Sequence, residues 1–250
     1  MKELVKRSKK RAVPIVICLA ASVVLVVTAS LYYNGILQIN SPSEARFSIK
    51  GADISAYQGE IDWSVFSSQD IDFTYIKATE GSSFTDERFV FNWEEASNTE
   101  LRIGAYHFFS FESPGKAQAK HFCDTVPAVD NMLPPVIDVE PYGEFKNKNV
   151  DFGDTIGSEL TDCLSYIEEK YGVKPVIYTT KAYYNSWIKE SFPGYDIWIR
   201  SVYGAPDNDI EWRFWQYSNR MRLKGYDGEE KYIDMNVFNG SFEEFSSYGS

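Results

Sequence analysis

Beyond residue 46 the chain alternates short β-branched and aromatic runs with amphipathic stretches, and this rhythm limits the possible folds more than any other feature. Strand-like runs occupy 47–55, 73–78, 102–109, 133–140, 174–179, 196–200, 213–217 and 232–235. Helix-like stretches fall at 61–66, 87–98, 114–125, 154–171 and 181–190, the fourth with apolar residues at Ile156, Leu160, Leu164 and Ile167. The last three strands are joined by segments too short or too polar for full helices. Strands alternating with helices imply a parallel sheet. Eight of them in roughly 200 residues imply an α/β barrel of triosephosphate-isomerase type whose final helices are reduced, with functional groups at the carboxyl ends of the strands. At 44% hydrophobic and 16% aromatic the composition is ample for such a core.

The run Leu133-Pro134-Pro135-Val136-Ile137-Asp138-Val139-Glu140 ends by placing two carboxylates two residues apart. Residues i and i+2 of a strand share a face, so Asp138 and Glu140 share an environment and Val139 faces the other way. Two like charges held together push at least one pKa up, which is what an acid catalyst at neutral pH requires. The other strands end in Asp53, in Lys77 with Glu80, in 107–109, in Tyr178, in Trp215-Gln216-Tyr217 and in Asp234. Each alone has an ordinary structural role: Asp53 or Asp234 as a turn or cap, Lys77 as a partner for Glu80, Gln216 as a satisfied core amide. A barrel would bring them to one mouth. Tyr57, Tyr106, Tyr178 and Trp215 would suit stacking on sugar rings there, although in so aromatic a chain most such rings are core.

The amino terminus is a separate problem. Residues 1–11 carry six Lys or Arg against one Glu, and no charged residue occurs from Ala12 to Ser43. The span 12–33 is long enough to cross a bilayer as one helix, and its basic flank predicts a cytoplasmic amino terminus. A cleaved signal peptide is the rival, with Val27-Thr28-Ala29 loosely like a cleavage site. The length of the apolar run and Tyr32 and Tyr33, placed for an interfacial belt, favour an uncut single-pass anchor. A linker of residues 34–46 then leads to an external domain of residues 47–250.

Residues 12–250 carry 19 Lys or Arg against 35 Asp or Glu, nearly all of them in that domain, a sign that repels phosphate backbones and argues against nucleic acid as a partner. Cys18 lies in the apolar span; Cys123 and Cys163 fall on helices expected to be neighbours, close enough to make a disulfide worth testing against two inert thiols. His107 and His121 are the only histidines, and no Cys/His ligand spacing exists, so a histidine-based zinc hydrolase is poorly supported. A hard cation on the acidic cluster remains a rival chemistry.

The motifs Gly51-Ala52-Asp53-Ile54-Ser55, Tyr57-Gln58-Gly59 with Ile61-Asp62-Trp63, Ile76-Lys77-Ala78-Thr79-Glu80-Gly81, Gly104-Ala105-Tyr106-His107-Phe108-Phe109, Pro135 to Glu140, Trp215-Gln216-Tyr217-Ser218 and Ile233-Asp234-Met235-Asn236-Val237-Phe238 together resemble the glycoside hydrolase family 25 lysozymes. The likeness runs from about residue 49 to about 245. It implies a barrel of five β/α units followed by three strands, and hydrolysis of the β-1,4 bond between N-acetylmuramic acid and N-acetylglucosamine in peptidoglycan. It further implies Glu140 as general acid, with Asp53, Asp138 and Asp234 completing the acidic cluster, and glycan strands of the wall as partner. Lys77, Glu80, Tyr57, Tyr106, Tyr178, Trp215 and Gln216 are the expected substrate-binding set. Glycoside cleavage needs a proton for the leaving oxygen and negative charge for an oxocarbenium-like transition state, so carboxylates suffice and no cofactor or metal is needed. The resemblance implies substrate assistance by the 2-acetamido group; attack by water with inversion stays open. A catalytically silent, membrane-tethered wall-binding module is the alternative, and the presence of both Asp138 and Glu140 weighs against it. A tethered hydrolase also suggests local wall opening beside a membrane or secretion machinery partner.

Overall fold

The computed structural model describes residues 2–146 and 154–249 and divides the chain into two compact units, Met1–Ile39 and Asn40–Ser250. The first is one helix, α1 (Lys2–Tyr33), whose stretch Pro14–Tyr33 has a mean hydropathy of 2.5 and is long and apolar enough to cross a membrane. The second unit takes in residues 40–46, which composition had assigned to the linker. The Asn40 side-chain amide donates to the carbonyls of Ser201, Gly204 and Tyr217, and Phe47 packs on Trp212 and Trp215.

The second unit is a closed barrel. Its strands are β1 (Lys50–Ile54), β2 (Phe73–Glu80), β4 (Arg102–Phe108), β5 (Val136–Val139), β6 (Val176–Thr180), β7 (Ile197–Arg200), β8 (Phe214–Met221) and β9 (Ile233–Phe238); β3 (Phe84–Thr85) is a short hairpin partner of β2. Pairing of β1 with β2 and with β9 closes the ring. Helices α2 (Trp63–Phe66), α3 (Phe89–Ser97), α4 (Gly115–Thr125) and α5 (Asp154–Tyr171) follow the first barrel strands. Beyond β6, α6 (Lys181–Tyr183), a π-helical turn (Tyr184–Ile188) and α7 (Lys189–Ser191) run on in sequence.

The expectation of a parallel sheet needs one correction. Strand β9 runs antiparallel to both β8 and β1. The connection from β8 to β9 is a loop with no crossover helix, and a chain that turns straight back can only pair antiparallel.

Alternation along each strand sorts the core into two layers. Outward residues such as Ile76, Ala105, Ile137, Val139, Ile177 and Ile199 meet the helices. Inward ones, Phe73, Tyr75, Val136, Val176, Tyr178, Trp198, Phe214 and Phe238, fill the barrel. Gly51 and Gly104 belong to that filling by default: a Cβ at either would overlap the ring of Phe73 or Tyr75. At the amino-terminal end α8 (Phe242–Ser246) stops the barrel with Phe245 and Tyr248. Arg102 donates to both of their carbonyls, and the Tyr248 hydroxyl donates to Asp196 at 2.7 Å.

Cys123 and Cys163 lie on the packed helices α4 and α5, but both are free. Burial pushes the Cys163 thiol well up and that of Cys123 up to about 11, so neither is a ready thiolate at neutral pH.

Candidate active site

Asp138 is the inward residue at the carboxyl end of β5, and the chain leaves the strand so that Glu140 follows on the same side. Asp138 is 8% exposed and its Oδ1 has no hydrogen-bond partner among the described residues. Burial is the first cause that lifts its pKa well above the ordinary carboxylate value, the charge of Glu140 the second, and the nearby Lys77 opposes both. Glu140 is less enclosed; burial raises it too, against the pull of Arg200 and Lys146.

The second pair of acids arises from sheet register. Asp53 on β1 stands directly opposite Asp234 on the antiparallel β9. Asp53 Oδ2 accepts from Asn236 Nδ2 at 2.8 Å and from Gln216 Nε2 at 3.1 Å, and the same Gln216 nitrogen donates to Asp234 Oδ2 at 3.2 Å. These amides are themselves fixed: Tyr178 donates to Gln216 Oε1 at 3.0 Å and Trp198 Nε1 to Asn236 Oδ1 at 2.8 Å. Burial raises both carboxyls, the two amide donors hold Asp53 back, and the charge of Asp53 lifts Asp234 further. The arrangement resists deprotonation of both members and favours charge on Asp53.

Lys77 reaches the mouth from β2 and pairs with Glu80 at 2.7 Å. Three residues apart, the two would face opposite sides of a regular strand; a register shift between Lys77 and Thr79 brings them to the same side. Lys77 also lies over the rings of Phe84 and Phe108. Tyr106 is partly buried against the barrel filling, and burial followed by the charges of Asp53 and Asp138 holds its phenol far above the usual value, hence a donor. Tyr57 sits in the turn after β1 and is 68% exposed.

Trp215 does not join this mouth. Gln216 points inward, so Trp215 on the same strand points outward, packs on Phe47 and Trp212, and donates Nε1 to the Ser201 carbonyl at 2.9 Å. The inward indole is Trp198. Two contributors escaped the sequence reading: Asn236, two residues beyond Asp234 and on its face, and Arg200 at the end of β7, whose charge acts on Asp53, Glu140 and Asp234. The spacing that singled out Asp138 and Glu140 would have found Asn236. Among the described residues no three His, Cys, Asp or Glu side chains are grouped to hold a metal ion.

The arrangement is thus a pair of carboxyls with raised pKa facing a second pair held by amides, in a barrel mouth with tyrosine hydroxyls. It can deliver a proton and stabilise developing positive charge. Comparison with known proteins agrees. The family model described as "Glycosyl hydrolases family 25" matches residues 52–226. A family 25 glycosyl hydrolase structure from Bacillus anthracis is similar at a TM-score of 0.78 and 47% identity, covering 84% of this chain and 98% of that one. A bacterial lysozyme structure from Streptomyces coelicolor follows at 0.69 and 30%, covering 80% and 96%. Lysozyme M1 of Streptomyces globisporus is 35% identical over 213 residues, which is 77% of this chain and 68% of the relative. A family match over most of the barrel, with relatives of this identity and coverage, makes the chain a member of glycosyl hydrolases family 25 and a glycoside hydrolase of lysozyme type.

Proposed function

We propose that the chain is a peptidoglycan hydrolase that cleaves the β-1,4 bond between N-acetylmuramic acid and N-acetylglucosamine, with Glu140 as general acid. The observation that carries this reading is the Asp138 and Glu140 pair: two carboxyls on one strand face, both raised first of all by burial. Such a pair keeps one proton at neutral pH. Asp138, deeper and with an oxygen unpartnered among the described residues, is its resting holder; Glu140, longer and nearer the opening, passes it to the leaving glycosidic oxygen. Asp53, oriented by Gln216 and Asn236, supplies the negative charge that the oxocarbenium-like transition state requires. Asp234 stays neutral beside it. Lys77, Glu80, Tyr106 and Tyr178 bind or shape the sugar site, and Tyr57 forms its outer edge.

The apolar helix α1 anchors the enzyme, with the basic residues 2–11 in the cytoplasm and the barrel on the outer face of the cell membrane. A membrane-held hydrolase opens wall close to where it sits, which suits work beside a membrane or secretion machinery. Digestion of purified peptidoglycan by the full chain in detergent, with mass spectrometry of the products, tests the chemistry. The expected fragments end in reducing N-acetylmuramic acid; reducing N-acetylglucosamine, or no fragments, would refute it. Protease added to intact wall-stripped cells should remove the barrel, and full protection would refute the topology.

A further inference from the structure

The loop joining β8 to β9 lies at the mouth end of the barrel, because β8 ends and β9 begins there. It is built onto the turn after β1. Gly228 N donates to Gln58 O at 2.9 Å, Glu230 N to Tyr57 O at 3.1 Å and Asp62 N to Gly225 O at 2.8 Å, while Ile61 and Tyr226 form an antiparallel bridge. Gly228 has no room for a Cβ, which would strike the backbone of Tyr57 to Gly59. A cleft of about 230 Å³ opens in this held loop, lined by Arg222, Leu223, Tyr226, Asp227, Glu230 and Lys231.

Two cations and two anions thus face one small space, and no ion pair forms between them among the described residues. Arg222 instead lies over the ring of Tyr232 at 5.3 Å, and Glu230 accepts from Tyr232 N at 3.2 Å. Opposite charges left apart by a fixed backbone suit a ligand that carries both signs. The space is below the roughly 300 Å³ at which pockets for drug-sized ligands begin, so it fits an end group rather than a whole peptide. It also adjoins the site: Tyr232 is two residues from Asp234, and the charge of Glu230 acts on Asp234.

We propose that this cleft binds the zwitterionic end of a peptidoglycan stem peptide, an ammonium and a carboxylate on one carbon, as an uncrosslinked diamino-diacid side chain presents. Arg222 and Lys231 take the carboxylate, Asp227 and Glu230 the ammonium, and Leu223 and Tyr226 line the wall. The inference rests on peptidoglycan being the substrate and names the part of it read beside the Asp53 and Asp234 flank. A purely anionic wall polymer is disfavoured, because the two carboxylates cancel the two cations.

The test is calorimetric titration of the full chain in detergent with the free tripeptide L-alanyl-γ-D-glutamyl-meso-diaminopimelate, beside the same peptide acetylated on its distal amine. Charge-assisted contacts in a half-open cleft predict about a tenfold weaker Kd for the acetylated form, and a similar loss for the Arg222→Ala/Lys231→Ala variant with the unmodified peptide. In the same variant the ratio of kcat/KM on stem-bearing to amidase-stripped glycan should fall about as far. No binding by the parent chain, equal binding of both peptides, or equal binding of glycerol 3-phosphate overturns the proposal. The peptide comparison uses only the parent chain, so a misfolded variant does not rescue it. Failure to cleave wall would refute the hydrolase reading, whereas wall cleavage without peptide binding refutes the cleft alone.

Discussion

The two halves of the barrel interior are made by the same strands and do opposite things. On β2 the inward positions run Phe73, Tyr75, Lys77; on β5 Val136, Asp138; on β8 Phe214, Gln216; on β9, read upward, Phe238, Asn236, Asp234. The lower half is a close aromatic stack stopped by Phe245 and Tyr248, with ring centroids 4.9 to 6.2 Å apart around Phe73, Tyr75, Trp198 and Phe214. The upper half is four carboxyls whose burial works against their charge. The packed rings lie below and the proposed chemistry above, and two residues along a strand separate the one from the other.

The sharpest way to break that division is Glu140→Gln. Loss of general acid catalysis should lower wall hydrolysis by about 10²–10⁴-fold, with the thermal midpoint of the barrel at or above that of the parent. A variant that unfolds instead would place Glu140 in the structural half. Conversely, Phe214→Ala should destabilise by about 3–5 kcal/mol in urea titration, while the folded fraction keeps its kcat. A fall in kcat without loss of stability would erase the boundary.

Titration separates the mouth from the outer layer. His107, on the helix-facing side of β4 and held by Thr79 and Gln118, is pushed down to about 4 by burial. The unfolded chain binds its proton first, so stability should fall as pH drops from about 6.5 towards 4, by up to about 3 kcal/mol. Asp138 and Asp234 have the reverse sign: the folded chain holds their protons longer, so their contribution worsens as pH rises through the ordinary carboxylate range. His107→Gln should therefore flatten the acid side of the stability profile, and Asp138→Asn should raise stability at neutral pH relative to pH 4. An unchanged profile in either would contradict the burial argument. Smaller again is Gly51→Ala, whose methyl group meets the Phe73 ring; overpacking of this kind costs about 1–3 kcal/mol, read as a lower urea midpoint.

Strand order, the main helices and the Asp138 and Glu140 pair were legible because periods of two and of 3.6 residues are written directly in the chain. The direction of β9 was not, since its segment 232–235 gives no sign of which way it pairs. Trp215 and Gln216 illustrate a different limit: in an apolar strand buried on both sides, alternation does not say which parity faces the barrel, and only Gln216 bonding to Asp53 and Asp234 settles it. Glu80 reached the mouth beside Lys77 through a register shift that no local pattern announces. Residues 40–46 read as linker because they are polar, yet Asn40 places one amide on three carbonyls of the barrel. Neighbouring helices for Cys123 and Cys163 followed from the winding of the barrel; the disulfide did not.

The most direct test of the account changes the substrate rather than the protein. Glu140→Gln should lyse wall at no more than about one hundredth of the parent rate, yet retain much of the parent activity on a chitooligosaccharide aryl glycoside whose leaving group needs no protonation, if the parent turns that substrate over. Asp53→Asn should stay impaired on both, because in the proposed mechanism its charge serves the transition state rather than the leaving group. Wall lysis by Glu140→Gln at near the parent rate, or an equal collapse on both substrates, would contradict the assignment of the proton to Glu140.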